Sequence, residues 1–143
     1  MSFDLRINNG DLVIGQDGDL DQINDLEKLI QDILKILMTP LGSNVSFPWY
    51  GSPLTDASIG QVLDKKFIDT MIKQIISSNL ETLQKLQKQQ AASGQRITAG
   101  EMLAAIQSVF IRRNITDPTY WTITVKVLSK GLRGSEATLD VAL

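Results

Sequence analysis

The sequence of 143 residues contains no cysteine and no histidine, and only 6% of its residues are aromatic. Without cysteine the chain forms no disulfide and no thiolate metal site, which is typical of a protein that folds in a reducing compartment. Without histidine it has no imidazole base, no histidine-led catalytic triad and no histidine metal ligand. These absences exclude most of the common hydrolase chemistry.

The chain also lacks a strong net charge and a long apolar run. Its formal charge is −2, which argues against nucleic acid as the main partner, because duplex binding depends on clustered Lys and Arg. No apolar run approaches the roughly 20 residues that cross a bilayer, so we expect no membrane partner, and we see no secretory signal. The length predicts a single domain over residues 1–143.

The N-terminal segment is predicted to contain short extended pieces separated by turns. Asn9-Gly10 favours a tight hairpin between two alternating runs, and a second turn follows at residues 17–18. Asp17, Asp19 and Asp21 suggest a calcium loop, but their spacing does not match an EF-hand. We therefore interpret them as turn residues and expect no metal.

A buried helix and an irregular loop come next. Asn24 is a suitable N-cap, Glu27 completes a capping-box pattern, and apolar residues recur at helical spacing up to Leu37. Pro40 ends the helix because it disfavours helical angles at the preceding residue. Residues 37–54 then hold three of the four prolines together with three aromatic residues. This composition predicts a rigid loop held in one shape, facing either the core or a partner.

A second long helix should begin after Thr55 or Asp56, run to about Gln90 and end at a Gly94 cap. Its predicted core stripe consists of Val62, Leu63, Phe67, Ile68, Met71, Ile72, Ile75 and Ile76. An interruption at residues 77–79 fits the sequence, and three leucines follow: Leu80, Leu83 and Leu86. Two interpretations of this last part stay open. It is either a solvent-exposed extension or a seam that packs on another protein chain.

The C-terminal part predicts strands. A capping-box pattern at residues 98–101 predicts a helical turn, and residues 102–113 predict a short helix that passes into a strand. Two alternating runs then predict an antiparallel pair. Their apolar positions are Trp121, Ile123, Val125 and Val127 in the first run, and Ala137, Leu139, Val141 and Leu143 in the second. The second run is predicted to be an edge strand, which offers unpaired N–H and C=O groups to another chain.

Several motifs in this order resemble a known family. They are a Gly-Asp-Leu opening, Leu-x-Thr-Pro-x-Gly at residues 37–42, Phe-Pro-x-Tyr-Gly-Ser at residues 47–52, and Asp117-Pro118 before the closing strands. The pattern is similar to the baseplate wedge and sheath-initiator family of contractile-tailed phages, also called W-protein-like. Relatives occur in type VI secretion baseplates. The resemblance runs from about Asp11 to Leu143 and is most specific at residues 37–51.

The resemblance implies a structural α+β protein of the tail baseplate in a virion, made in the host cytoplasm. It implies six copies per baseplate, with the tail sheath protein, other baseplate wedge proteins and the tail tube as partners, and without a cofactor. The terminal strands, residues 121–128 and 136–143, would receive strands of the sheath and template its assembly. A wedge-contact loop would be formed by Thr39, Pro40, Gly42, Phe47, Pro48, Trp49, Tyr50 and Gly51.

One departure from the family pattern concerns this loop. Many members carry a Glu and an Arg shortly after the Thr, whereas this chain has Ser43 and Asn44 after Gly42. Arg112 or Arg113 is a candidate to make the contact of the missing charged pair.

Two other function classes are weighed against the structural one. A soluble adaptor would bind a partner helix through the Leu80, Leu83 and Leu86 seam. A carboxylate glycan hydrolase is suggested by the lysozyme names of some family members, but no pair of carboxylates is marked for a cleft. We therefore expect no catalytic residue and no enzyme activity.

Overall fold

A computed structural model describes residues 3–55, 65–117 and 120–142. Within these ranges the chain forms small antiparallel sheets and two α-helices, so the predicted α+β fold is confirmed. The elements are β1 Asp4–Leu5, β2 Ile7–Asn8, β3 Asp11–Leu12, β4 Gln22–Ile23, α1 Asp25–Met38, α2 Lys65–Ala92, β5 Leu103–Arg113, β6 Tyr120–Ser129 and β7 Gly134–Ala142. Single 3-10 turns occur at Pro53–Thr55 and Ala99–Glu101.

The predicted N-terminal hairpin is present. Strands β2 and β3 pair with Ile7 opposite Leu12, and the turn residues Asn9 and Gly10 have φ angles of 51° and 80°. Two left-handed residues in a row are what a two-residue hairpin loop requires, and the Asn-Gly dipeptide tolerates them. Strand β1 pairs separately with β4, which places the hairpin beside the start of α1.

Helix α1 has the predicted length and start, but its first turn is capped differently. Asn24 occupies the N-cap position, yet its side chain makes no capping hydrogen bond. Glu27 accepts a hydrogen bond from the Arg6 guanidinium at 2.8 Å instead of closing a capping box. The predicted box is therefore wrong, because a charge-assisted bond to Arg6 competes for the Glu27 carboxylate. The end is as predicted, since Thr39 adopts extended angles before Pro40.

Helix α2 is continuous through residues 77–79, so the suggested interruption is wrong. Gly94 has a φ of 88° and the N–H of Gln95 donates to the carbonyl of Gln90, which confirms the predicted glycine cap. The predicted start of the helix, with Val62 and Leu63, lies outside the described residues. Phe67 is 57% exposed, so its assignment to the core is wrong.

The last turns of α2 contradict both interpretations of their leucines. Leu80 and Leu83 are 1% and 6% exposed and belong to the chain's own core, while Leu86 is half-buried. The leucines are therefore neither exposed nor a seam for another chain, and the predicted solvent-exposed extension is limited to residues 88–92 of the helix. The cause is β5, which contacts α2 and covers this side of the helix.

The C-terminal sheet has the strand order β5-β6-β7 and is antiparallel throughout. The predicted strand pair is confirmed, with Ile123 opposite Leu139. The capping-box pattern forms at the 3-10 turn, where the Thr98 N–H donates to the Glu101 carboxylate at 3.1 Å. The short helix predicted after it is wrong, because β5 is extended from residue 103. Register shifts near residues 103–108 disturb the alternation that would have revealed a strand.

Both helices pack in one core with the sheet, α1 against β7 and α2 against β5. The core residues of α1 are Leu29, Ile33, Ile36 and Leu37, and β6 contributes every second residue from Trp121 to Val127. This arrangement leaves the other face of the sheet in solvent. No helix within the described residues is long and apolar enough to cross a membrane.

Candidate functional site

The outer edge of β7 is the first candidate site. Strand β7 pairs with β6 on one side, and within the described residues no strand pairs with its other side. The Ser129 N–H donates to the Arg133 carbonyl at 2.9 Å, so odd-numbered residues of β7 share the ladder hydrogen bonds with β6. By alternation, Glu136, Thr138 and Asp140 direct their N–H and C=O groups outward. These backbone groups are the ones that another strand would meet.

The opposite edge of the sheet, formed by β5, is less accessible where that strand begins. Gln87 accepts the Leu103 N–H and donates to the Glu101 carbonyl, both at 2.8 Å. Gln84 donates to the Ala104 carbonyl at 3.0 Å. These amides occupy backbone groups at the beginning of β5, as a neighbouring strand would. The contrast between the two edges makes β7 the better candidate for strand addition.

The predicted sheath-binding side chains that the structure describes face the core. The described ones are at most 5% exposed: Trp121, Ile123, Val125, Val127, Ala137, Leu139 and Val141. Leu143 lies outside the described residues. Strand β6 is central and paired on both sides, so it offers no edge of its own. The alternation of apolar residues in β6 and β7 therefore identified residues that face the core. The backbone N–H and C=O groups at the outer edge belong to the residues between them on β7.

The solvent face of the sheet is polar. Thr122 donates to the Asp140 carboxylate at 2.6 Å, and the hydroxyls of Thr124 and Thr138 are 3.4 Å apart. Lys126 is opposite Glu136 in register, but its ammonium lies over the Phe110 ring at 5.5 Å. The exposed carboxylates of this face are thus on β7, next to the outer edge.

The proline loop is the second candidate site, and its two ends are held together. The Ser52 N–H donates to the Thr39 carbonyl at 2.8 Å, and the Leu41 N–H donates to the Ser52 carbonyl at 3.1 Å. Gly51 has a φ of 115°, and a Cβ there would lie 2.7 Å from the Thr39 carbonyl oxygen. Only glycine fits this closure, which positions the rest of the loop.

The tip of the loop presents apolar side chains to solvent. Phe47 and Trp49 are 53% and 50% exposed, and their rings meet edge to face at 5.8 Å. Val45 is 96% exposed. Tyr50 turns toward the core, where burial, with the nearby charge of Asp32, raises the pKa of its phenol. The loop therefore has one anchoring ring and an exposed apolar tip.

Ser43 and Asn44, at the positions where the resemblance leads one to expect a charged pair, shape this tip locally. The Asn44 side-chain oxygen accepts the N–H groups of Ser46 and Phe47 at 3.1 and 3.2 Å. The Ser43 hydroxyl donates to the Pro40 carbonyl at 2.7 Å. The suggested substitutes lie elsewhere, at the end of β5, where the Arg113 guanidinium stacks on Trp121 at 5.2 Å.

The acidic residues of the N-terminal segment do not converge. Asp21 is bound by Arg6 at 2.6 Å, and Asp17 accepts the N–H of Asp19 at 3.3 Å. In the described ranges no group of three His, Cys, Asp or Glu side chains is placed to hold a metal ion. The structure therefore adds no support for the calcium-loop interpretation.

One row of residues beside the β7 edge could not be assigned to a functional site from the sequence. Leu26, Ile30 and Leu34 flank the core row of α1 and line a groove with Ser135 of β7. Their spacing of four is visible in the sequence, but nothing in it separates this row from the core stripe. Their position next to a strand edge depends on how α1 packs on the sheet.

Comparisons with known proteins support the structural function that the sequence predicts. The family model of the contractile injection system sheath initiator matches residues 1–98, which cover the N-terminal strands, α1, the proline loop and α2. The comparison with curated proteins finds no match. Among solved structures, a Geobacter sulfurreducens protein named as a candidate tail lysozyme is similar, with a TM-score of 0.61 and 15% identity. The similarity covers 82% of this chain and 89% of that one, and at this identity it shows the fold alone.

Proposed function

The chain belongs to the sheath-initiator family of contractile injection systems, and from this premise we propose that it joins the baseplate wedge to the first sheath ring. The family membership gives it a role at the baseplate and sheath of such a machine. The finer proposal is that a strand of the sheath protein adds to the outer edge of β7. The observation that carries it is the row of outward backbone groups at Glu136, Thr138 and Asp140.

Strand addition suits a template. Main-chain hydrogen bonds to β7 fix the distance and direction of the incoming strand, and the alternating side chains fix its register. The β7 strand is held by nine register pairs with β6 and by α1 beneath it, so the edge is rigid before the partner arrives. A first sheath subunit bound in this way would present its own strands in one orientation to the next.

The wedge-contact loop is proposed to bind other baseplate wedge proteins. Its exposed apolar side chains are Leu41, Val45, Phe47 and Trp49. Closure of the loop by Ser52 and Gly51 lowers the entropy that binding must overcome. In this proposal the loop anchors the protein while β7 carries the sheath.

The remaining parts of the proposal follow from the resemblance to the family. The chain acts as a single structural domain, in six copies near the tail tube, in the baseplate of a virion whose proteins are made in the host cytoplasm. It acts without catalysis, cofactor or metal, and without nucleic acid or membrane as a partner.

The test blocks the edge without removing the strand. Thr138→Pro deletes an outward N–H, whereas Thr138→Ala keeps it and controls for the lost hydroxyl. Each variant replaces the natural protein during tail production, and particles are examined by electron microscopy. We expect Thr138→Pro to give baseplates without sheaths and Thr138→Ala to give full sheaths. Full-length sheaths with both, at unchanged circular dichroism, would overturn strand addition at β7.

Deleting residues 136–143 is a poorer test. Ala137, Leu139 and Val141 are at most 5% exposed in the core, so the truncation would remove packing as well as the edge. A loss of sheaths would then report unfolding.

A further inference from the structure

A groove of about 520 Å³ lies beside the outer edge of β7, between α1, the N-terminal strands and the start of β7. We call it the edge groove. Its apolar lining consists of Ile7, Ile23, Leu26, Ile30 and Leu34, and Ser135 lines it from β7. The ion pair of Asp25 with Arg133, 3.5 Å apart, fixes the beginning of α1 next to the beginning of β7.

The geometry of a sheet determines which side chains of a strand added to β7 would enter the edge groove. Such a strand would lie about 4.8 Å beyond β7, and every second side chain would point to the side on which α1 packs. The row from Leu26 to Leu34 extends about 12 Å along α1, given a rise of about 1.5 Å per residue. Alternate strand residues are about 6.7 Å apart, so this row is long enough to contact two inward side chains of a strand that runs along α1.

The charges around the groove favour apolar side chains at these inward positions. Arg6 is bound by Asp21 and Glu27 at 2.6 and 2.8 Å, and Arg133 is paired with Asp25. Five aliphatic side chains line the groove together with these paired charges. A charged side chain entering the groove would lose hydration and would have to compete with these existing ion pairs, whereas an aliphatic one would cover the half-buried apolar row of α1.

The solvent face favours the opposite chemistry. Glu136, Thr138 and Asp140 have their side chains on that face, and their backbone groups point to the outer edge. Residues of an added strand directly opposite them would place their side chains next to the two carboxylates. Opposite charges at such cross-strand positions stabilise a sheet, and like charges destabilise it.

We propose that the β7 edge selects a strand of another protein with two faces: aliphatic residues that fill the edge groove, and Lys or Arg opposite Glu136 and Asp140. The inference rests on the proposed strand addition and names the chemistry of the strand that is added. It assigns Leu26, Ile30 and Leu34 to the specificity of that site.

The charge part is tested with three labelled nine-residue peptides and the full chain, by fluorescence anisotropy. The first alternates Val with Lys and Thr, the second replaces Lys with Glu, and the third replaces Val with Ser. We expect the first to bind at least tenfold more tightly than the other two. A double variant, Glu136→Lys with Asp140→Lys, should reverse the order of the first two. Equal binding of all three, or no binding of any, would overturn the proposal.

The groove part is tested with Ile30→Gln and Leu34→Gln, and Met38→Gln serves as the control. Met38 is on the same helix, 43% exposed and outside the groove lining. We expect at least a tenfold weaker affinity for the first peptide with the groove variants and no change with Met38→Gln, at unchanged circular dichroism. Unchanged affinity in the groove variants would overturn the assignment of the groove.

An assay of sheath assembly distinguishes the proposed strand addition from the proposed role of the edge groove. If Thr138→Pro blocks sheaths while the groove variants do not, strand addition stands and the groove assignment is wrong. If Thr138→Pro assembles full sheaths, strand addition itself is wrong. Sedimentation of the free protein should show a monomer. A dimer that Thr138→Pro dissociates would mean that a second copy occupies the edge, and would overturn the choice of partner.

Discussion

At the scale of single residues, Gly51 decides whether the proline loop closes. An alanine Cβ there would lie 2.7 Å from the Thr39 carbonyl oxygen and 2.9 Å from that of Pro40, and both atoms are backbone. Gly51→Ala is therefore expected to cost about 3 kcal/mol, the sum of a left-handed φ and a steric clash. Gly42→Ala is the control, because Gly42 also has a positive φ but open space around its Cβ position. Urea unfolding should show a smaller loss at Gly42, of about 1–2 kcal/mol; equal losses would contradict the closure.

Gln87 has a comparable role at the start of β5. Its amide is 4% exposed and satisfies the Leu103 N–H and the Glu101 carbonyl. Gln87→Ala leaves both backbone groups without a partner, so we expect a loss of about 2–4 kcal/mol in urea unfolding. Gln89→Ala, at an exposed position of the same helix, should cost about 0.5 kcal/mol or less. A loss at Gln87 no larger than that at Gln89 would show that the amide does not support β5.

Asp4 makes stability depend on pH. Burial alone raises the pKa of Asp4, but the hydrogen bond and charge of Lys35, with the Leu5 N–H and Gln31, lower it below its ordinary value of 3.8. The stabilisation is therefore present above that value and is lost as the pH falls through the lower pKa of the folded state. Asp4→Asn should lower stability at neutral pH and flatten its decline below about pH 4. Unfolding midpoints from pH 7 to pH 2 measure this, with Glu81→Gln as the exposed control. An unchanged acid limb in Asp4→Asn would contradict the assignment.

At the scale of elements, a substitution at the tip of the proline loop should affect binding to the wedge much more than the stability of the fold. Trp49 is half exposed and meets the rings of Phe47 and Tyr50 edge to face, so Trp49→Gln should cost about 1 kcal/mol in stability. If the loop contacts the wedge, the same change should lower incorporation of the protein into purified baseplates at least tenfold. Phe67→Gln, at a 57% exposed aromatic residue on α2, is the matched control. Equal incorporation of both variants would remove the loop from the wedge interface.

The elements also show how much the sequence could reveal. The alternation in residues 121–127 and the proline after Thr39 each depend on local chemistry, and both predicted the structure. The burial of Leu80 and Leu83 depends on β5, a tertiary contact that the polar residues around them conceal. The extended start of β5 was hidden because register shifts interrupt its period.

The candidate site could be predicted only in part, because some of its features depend on local sequence and others on tertiary packing. A strand could be inferred from the alternation of residues 137–141, but which of its backbone groups point outward depends on the Ser129–Arg133 turn. The edge groove requires α1 to lie beneath β7, which only the packing of the whole chain determines.

At the scale of the whole molecule, the two edges of the sheet differ in the described part of the chain: the β5 edge is covered at its start, whereas no strand pairs with the β7 edge. Gln84 and Gln87 occupy backbone groups at the start of β5, while β7 leaves Glu136, Thr138 and Asp140 directed outward. The loop at the end of α1 is a separate apolar surface. The proposed link between wedge and sheath needs two surfaces, and because these consist of different residues, each can be blocked alone.

The most direct measurement of this account is a cryo-EM map of the baseplate with its first sheath ring attached. We predict that a strand of the sheath protein continues the β5-β6-β7 sheet as a fourth strand next to β7. Its aliphatic side chains should occupy the edge groove beside Ile30 and Leu34, and its Lys or Arg side chains should face Glu136 and Asp140. A map in which the β7 edge faces solvent, or contacts a wedge protein while the sheath binds elsewhere, would contradict the account.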